Sequence, residues 1–353
     1  MKQIYLVYGG NSVEHDISIL SALIVFQRCK SNKNEYHLCY LDKSGTFYVG
    51  EGLKKVTNYE KKVKMVPAFF FSKNGKGWIK AKKKRPVDGV ILLTHGFHTE
   101  DGTVGAFFET LQIPVCYSGV EVSSWIQNKA LTKSLAQALS INVVQGKLLS
   151  LGEMEQPFSY PVIVKPNHLG SSIGVKKVEN QEELQEALSV IYALQDDALV
   201  EQCVHPLKEL NIALMITSKK QYISEIEMTN QEEAVLDYEE KYAIFSRQKE
   251  KEIPARITYE IKERIIAQSV AFYTKYHLKG IVRFDYFLSG EQLLLNEVNL
   301  IPGSLAYYLF EQKGISMSEL VEVMVEEAEK MEGTWSRLRS FQSELELRKL
   351  SGK

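Results

Sequence analysis

Arg283, Asp285, Glu297 and Asn299 bring a guanidinium, two carboxylates and an amide into one short stretch of chain. Between them, the apolar runs Tyr286 to Leu288 and Gln292 to Leu295 flank Ser289-Gly290-Glu291 and read as a hairpin. A hairpin places Asp285, Glu297 and Asn299 near its outer ends, close enough to converge. Oxygen ligands alone suit a hard cation such as Mg²⁺, usually held by one or two carboxylates together with substrate phosphates. Arg283 beside them can neutralise a phosphate or a developing oxyanion. A surface hairpin with solvated acids would carry the same residues, so the chemical reading needs support from elsewhere in the chain.

That support lies upstream. The run Asn167-His168-Leu169-Gly170-Ser171-Ser172-Ile173-Gly174 falls between two apolar stretches. Glycines and small hydroxyl residues let backbone N–H groups approach phosphate oxygens, although glycine-serine loops also serve as plain turns. The run is not a Walker A loop, which needs GxxxxGK[ST] between strand and helix. Lys165 ends a strand otherwise built from Val162, Ile163 and Val164, where a fixed cation beside a phosphate loop makes sense. Lys129 fits a phosphate contact or an ordinary helix surface. Glu201, just before Cys203-Val204, fits an adenosine contact or an exposed strand end. His95-Gly96 through Glu100-Asp101-Gly102 follows a strand and precedes a helix, a common place for ligand contacts. His95 is a candidate for orienting substrate, and Asp101-Gly102 for capping the helix. His-Gly-X-His is poor zinc spacing. Glu14, after the first strand, could hold an ammonium group.

The elements that must position these residues read as α/β. A strand over Ile4 to Tyr8, a turn at Gly9-Gly10, a helix over Ile17 to Gln27 capped by Ser12 or Asp16, and a strand over Tyr36 to Leu41 argue a parallel sheet. Residues 56 to 86 are lysine-rich and predict short strands and loops. Further on, the spacing predicts a helix over Ser124 to Ala138 carrying Lys129 and Lys133, and a strand over Ile173 to Val178. Helices over Glu182 to Ala193, 258 to 276 and 317 to 331 follow, with a polar loop over 228 to 256. The expected division is 1–120, 121–205 and 206–335, with a charged tail over 336–353.

The 353 residues are 44% hydrophobic and 25% charged, ordinary for a globular protein with room for two or three cores. A net charge of −1 gives no electrostatic case for nucleic acid or an anionic membrane. Cys29, Cys39, Cys116 and Cys203 lack CxxC spacing and read as reduced core thiols. Met1 to Tyr8 is too short for a signal segment, and no run approaches the length that spans a bilayer. A cytoplasmic protein is expected.

Taken in order, these segments resemble the D-alanine–D-alanine ligases of the ATP-grasp superfamily. The matching pieces are Gly9 to Ser18, His95-Gly96 through Glu100-Asp101-Gly102, Asn128-Lys129, Val164-Lys165-Pro166 with Gly170 to Gly174, and Asp237 to Tyr242. Arg283-Phe284-Asp285 and Asn296 through Gly303 complete the set, which spans roughly residues 3 to 330. The resemblance implies a three-domain ATP-grasp fold, with an N-terminal parallel-sheet domain and ATP held between the central and C-terminal domains. It implies that Lys129, Lys165 and Ser172 bind ATP phosphates, with Glu201, Val204 and Glu209 at the adenosine and Lys241 reaching in from a mobile loop. Asp285, Glu297 and Asn299 would hold two Mg²⁺, with Mn²⁺ as a substitute, and Arg283 would stabilise a tetrahedral intermediate. Glu14, Ser171 and Tyr242 match a hydrogen-bonded trio that anchors the first amino acid, with His95 near its carboxylate.

The implied partners are ATP and D-amino acids, in a homodimer. Gly303 would lie by the second substrate. The family usually continues through a serine that binds that substrate's carboxylate, and here Tyr308 stands in its place. Thr99 and Leu300 are further departures. The ATP and metal pattern is intact, and D-lactate, D-serine or another amino acid remains open beside D-alanine as second substrate. A binding protein that has lost ligation is the third reading, opposed by the intact phosphate and metal residues.

Overall fold

The computed structural model describes residues 1–205, 207–230 and 251–340, the side chains of Asn230 and 331–340 excepted. Three sheets organise the described chain. The first contains β1 (Lys2–Gly9), followed by α1 (His15–Arg28), then β2 (Asn34–Leu41), β3 (Phe47–Val49), β4 (Val66–Lys73), β5 (Lys76–Lys80), β6 (Lys84–Val87) and β7 (Gly89–Leu92). After β7 come α2 (Thr103–Thr110) and β8 (Val115–Cys116). The strand order is β6-β5-β4-β3-β2-β1-β7-β8, with β2, β1, β7 and β8 parallel and the lysine-rich strands antiparallel at one edge. Ile4, Leu6 and Tyr8 pack on α1, while Tyr5 and Val7 face Phe70, Phe108 and Ile79 on the other side. A central strand covered on both faces explains the unbroken apolar run that begins the chain. Helix α1 starts at His15 with Glu14 as its N-cap, two residues earlier than the apolar spacing predicts.

Next come α3 (Val120–Gln127), α4 (Lys129–Gln137), β9 (Gly146–Leu149), β10 (Val162–Pro166), β11 (Lys176–Val178), α5 (Gln181–Ala193) and β12 (Ala198–Gln202). The single helix expected over 124 to 138 is two. Asn128 adopts an extended conformation (ψ 105°), and its side chain accepts a hydrogen bond from Leu131 N–H, capping α4. Asparagine competes for backbone donors in this way, which favours caps over helix interiors. The second sheet, β11-β10-β12-β9, is antiparallel, with Val162, Val164, Val178 and Val200 packed on α5. Ile173 to Val175 belong to the preceding turn and not to β11.

The third sheet comprises β13 (Lys208–Ile216), β14 (Gln221–Asn230), β15 (Lys251–Glu252), β16 (Val282–Ser289) and β17 (Gln292–Asn299), ordered β15-β14-β13-β16-β17. Helix α6 (Tyr259–Lys275), capped by Thr258, covers one face over Leu210, Ile212, Phe284 and Tyr286. Residues 228 to 230, expected in a loop, complete β14, and Lys251–Glu252 pairs with its end. Residues 231 to 250 lie outside the described residues. The chain closes with α7 (Tyr307–Glu311) and α8 (Met317–Ser340), whose Leu320, Val321 and Met324 return to the core beside α1. Helix α8 therefore runs into the stretch expected to be a peripheral tail. Among the described residues, no helix is long and apolar enough to cross a membrane.

Candidate active site

Strands β16 and β17 are longer than the apolar runs suggested, and only Gly290-Glu291 separates Ser289 from its partner Gln292. The site residues therefore lie within the ladder and not beyond it. Asp285 faces Glu297 but Tyr286 faces Leu295, which leaves Asn296 as an extra residue in a β-bulge. Bulges re-aim side chains next to functional sites. Here Leu293 and Leu295 sit in the apolar core with Leu288 and Tyr286, and beyond the bulge Glu297 and Asn299 pair with Asp285 and Arg283 on the opposite face. Unbroken alternation would have put Glu297 on the leucine side. Across the sheet, Glu227, Asn211, Asp285 and Glu297 stand opposite one another in register, a polar row on the face that α6 leaves uncovered.

Arg283 forks onto Asp285, with Nε 2.6 Å from Oδ1 and Nη2 2.7 Å from Oδ2, and Asn299 Nδ2 donates to Oδ2 at 3.0 Å. Asp285 is 1% exposed. Burial works against the Arg283 cation, but the Asp285 carboxylate outweighs it and holds the guanidinium well above its ordinary value. Two carboxylates and an amide oxygen on facing strands are the donor chemistry of a hard divalent cation. The residues therefore fit Mg²⁺, provided Asp285 exchanges its Arg283 contact for the ion.

In the 167–174 loop, Ser171 (φ 54°) and Ser172 (φ 58°) both adopt left-handed backbone, which non-glycine residues hold only when their surroundings enforce it. Asn167 and His168 provide that support. Asn167 Oδ1 accepts from Ala130 N–H at 3.0 Å, and His168 is bound through its backbone N–H and Nδ1 to Asp196 at 2.9 and 2.6 Å. Lys129, first residue of α4, donates to Leu169 O. Burial pulls the Lys129 ammonium below its ordinary value, and Glu297 opposes that. Lys165 reaches Glu201 Oε2 at 2.9 Å and Asn296 Oδ1 at 3.3 Å, tying the second sheet to the bulge of the third. Glu201 is 2% exposed and therefore no exposed strand end. Burial alone would raise its carboxyl, but Lys133 (2.6 Å) and Lys165 keep it below the usual range.

The first sheet contributes Glu14, His95 and Glu100. Ser171 donates to Glu14. A Cβ at 170 would lie 2.4 Å from Glu14 Oε2, so any other residue there would displace that carboxylate. His95 is 4% exposed, its Nε2 lacks a hydrogen-bond partner, and burial lowers its imidazole to about 4. Glu100 accepts from Gly96 N–H at 2.7 Å and from Ile301 N–H at 3.2 Å, joining the first sheet to the segment after β17. Burial, then the nearby Glu14, push its carboxyl up to about 8.

Two cavities result. One of about 390 Å³ is lined by Glu14, His95, Glu100, Arg283, Asn299 and Gly303, among others. The smaller one is lined by Lys165, Ser172, Glu201, Val204 and Glu209. Lys129, Gly170, Ser171, Asn296 and Glu297 border both. Residues expected to act together from distant segments thus meet, while Lys241 and Tyr242 lie outside the described residues. Tyr308 does not line either cavity; its hydroxyl donates to Glu227 at 2.8 Å. Sequence reasoning passed over Lys133, Glu100, Asn296, Glu227 and Lys251. Lys133 had a signal in its one-turn spacing from Lys129, and Glu100 and Asn296 stood inside quoted motifs, but nothing local marked Glu227 or Lys251.

A family model described as D-ala D-ala ligase N-terminus matches residues 3–119, and one described as D-ala D-ala ligase C-terminus matches residues 136–326. A D-alanine–D-alanine ligase of Thermosipho melanesiensis is 33% identical over 92% of this chain and 93% of its own length. Among solved structures, the D-alanine–D-alanine ligase from Coxiella burnetii superposes with a TM-score of 0.83 at 21% identity, covering 96% of each chain, which establishes the shared ATP-grasp fold. The VanG D-Ala:D-Ser ligase from Enterococcus faecalis gives 0.77 at 26% identity, over 93% of this chain and 99% of its own. By the match of both family models and the identity along nearly its whole length, the chain belongs to the D-alanine–D-alanine ligase family.

Proposed function

We propose that this chain joins two molecules of D-alanine into D-alanyl-D-alanine for peptidoglycan precursors, converting ATP to ADP and phosphate. The observation that carries the reading is the common wall of the two cavities, built by Lys129, Ser171 and Glu297. A nucleotide in the smaller and an amino acid in the larger have their reacting ends at that wall. A carboxylate oxygen of the first D-alanine attacks the γ-phosphorus, and ADP leaves with the electrons of the broken P–O bond. The neutral amine of the second D-alanine then attacks the acyl carbon, charge collects on the carbonyl oxygen, and its collapse expels phosphate while the amine proton passes to solvent.

In this reading Lys129, Lys165 and Ser172 hold the phosphates, with Glu201 fixing Lys165 and, beside Val204 and Glu209, facing the adenosine. Glu14 and Ser171 anchor the first substrate's ammonium, neutral His95 lies by its carboxylate, and Arg283 meets the oxyanion. Asp285, Glu297 and Asn299 would hold two Mg²⁺ or Mn²⁺ ions, which would supply charge screening between ATP and the attacking carboxylate. An acyl phosphate must be shielded from water, and we assign that cover to the segment carrying Lys241 and Tyr242. We divide the chain near residues 120 and 205 into three domains, and infer a homodimer, which light scattering would check. Four free cysteines, three of them buried, suit a reducing cytoplasm.

Coupled ADP release that depends on D-alanine tests the reading, and Glu297→Gln is expected to lower it at least about a hundredfold. No D-alanine-dependent turnover in the wild type would sink it. A different second substrate is the weaker reading: Tyr308 favours it, but the curated relatives carry the D-alanine–D-alanine name. Product mass spectrometry separates the two.

A further inference from the structure

The polar row of the third sheet ends in a buried carboxylate that the mechanism above leaves unused. Glu227 on β14 is 1% exposed. Its Oε2 accepts from the Tyr308 hydroxyl at 2.8 Å and from Asn211 Nδ2 at 3.3 Å, and its Oε1 lies 2.8 Å from Lys251 Nζ. Burial would raise this carboxyl, yet Lys251, Tyr308 and Asn211 together hold it below its ordinary value, so it is charged at neutral pH. The same burial, with the Glu227 charge, drives the Tyr308 hydroxyl well up and keeps its proton in place. A hydroxyl has one proton to donate. Tyr308 gives it to Glu227, leaving none for a substrate carboxylate at the position where the family resemblance expects a serine.

Lys251 stands beside this cluster. Its ammonium lies 5.0 Å from the Tyr308 ring centroid, and its half-exposed side chain (50%) lines the 390 Å³ cavity together with Arg283 and Gly303. An ammonium has three donors, of which Glu227 engages one. The other cations bordering that cavity have other assignments above: Arg283, beside Asp285, meets the oxyanion, and Lys129, bound to Leu169 O, holds the phosphates. We propose that Lys251, positioned by Glu227 and Tyr308, binds the carboxylate of the second amino acid in this chain. The serine hydroxyl of the family is thereby replaced by a cation delivered from β15, and a second substrate without a carboxylate is disfavoured. This assignment rests on the ligase reading above.

Steady-state kinetics that resolve the two D-alanine sites test it, on wild type, Lys251→Met, Lys251→Arg and Tyr308→Phe. Lys251→Met is expected to raise KM for the second D-alanine about ten- to a hundredfold, the range of one charge-assisted hydrogen bond, with KM for ATP and for the first D-alanine unchanged. Lys251→Arg restores most of the loss. Tyr308→Phe keeps the cation and shifts the second KM only a few-fold. Removing Lys251 strands the buried Glu227 charge, so the double variant Lys251→Met with Glu227→Gln serves where the single variant folds poorly, and it keeps the second-site defect. Active wild type with an unmoved second KM in both Lys251→Met backgrounds overturns the Lys251 assignment alone. A Tyr308→Phe defect as large as that of Lys251→Met overturns it in favour of the hydroxyl. Wild type inactive on D-alanine removes the ligase reading and this assignment with it.

Discussion

His95 and Glu100 line the larger cavity, and burial shifts their titrations in opposite senses. The His95 imidazole falls from 6.5 to about 4 in the folded chain, so between those values the unfolded chain binds more protons and stability drops as pH falls. The effect is fully developed only near pH 4 and amounts to about 3 kcal/mol at most. The Glu100 carboxyl rises from 4.5 to about 8, so over that interval the folded chain binds more protons and stability drops as pH rises. Denaturant melts at a series of pH values on wild type, His95→Gln and Glu100→Gln should separate the two. His95→Gln loses the acid-side slope, and Glu100→Gln loses the decline toward pH 8. Unchanged slopes in both variants would contradict these protonation states. Both residues were visible as ionisable groups in a loop after a strand. Their burial was not, because it depends on Glu14 and Ile301 closing over them from other parts of the chain.

Two local irregularities aim the elements of the candidate site. Asn128 breaks what looks like one amphipathic helix and thereby makes Lys129 the first residue of α4, at the 167–174 loop. Its side chain caps Leu131 N–H at 2.8 Å and also touches His168 Nε2 at 3.2 Å. Asn128→Ala is expected to lower stability by about 1 kcal/mol through the lost cap. It should also raise KM for ATP more than KM for D-alanine, since Lys129 loses its fixed origin. Urea melts and initial rates would check both, and an equal rise in all KM values would argue against a specific role. The bulge at Asn296 is the second device. The apolar pattern of β16 and β17 identified the hairpin but extrapolated a strict period of two, whereas one inserted residue reverses which face Glu297 and Asn299 occupy. A bulge needs no distinctive side chain, so it leaves little trace in a single sequence.

At the scale of the molecule, the site is a junction of three sheets held by a few long-range polar ties. Ser171 to Glu14 links the phosphate loop to the first sheet, Glu100 to Ile301 links the first sheet to the third, and Lys165 links Glu201 of the second to Asn296 of the third. Lys165 is the most exacting of these, because it sits buried between an acid and an amide. Lys165→Met would leave Glu201 with Lys133 as its remaining counter-ion among the described residues, so the expected cost is below the about 3–5 kcal/mol of stranding a buried charge outright. ATP, which stabilises the wild type by binding only the folded state, should then raise the variant's melting temperature much less. Thermal melts with and without nucleotide give the comparison. A variant that melts as the wild type does, with the same ATP shift, would show that the tie carries no weight.

The chain order of residue types determined a good deal alone. Apolar runs and turn residues specify the βαβ opening, the glycine-serine loop between two strands and the acidic hairpin, because each element is marked by its own local periodicity and bounded by turn residues. The ordered motifs also carried the family resemblance. What only packing decided is which side chain answers which: Glu201 bound between two lysines, Tyr308 turned to Glu227, and Lys251 brought to the cavity wall. Those partners lie tens to hundreds of residues apart, where no local period relates them, and a buried charge selects its counter-ion only once the sheets have met and water has left.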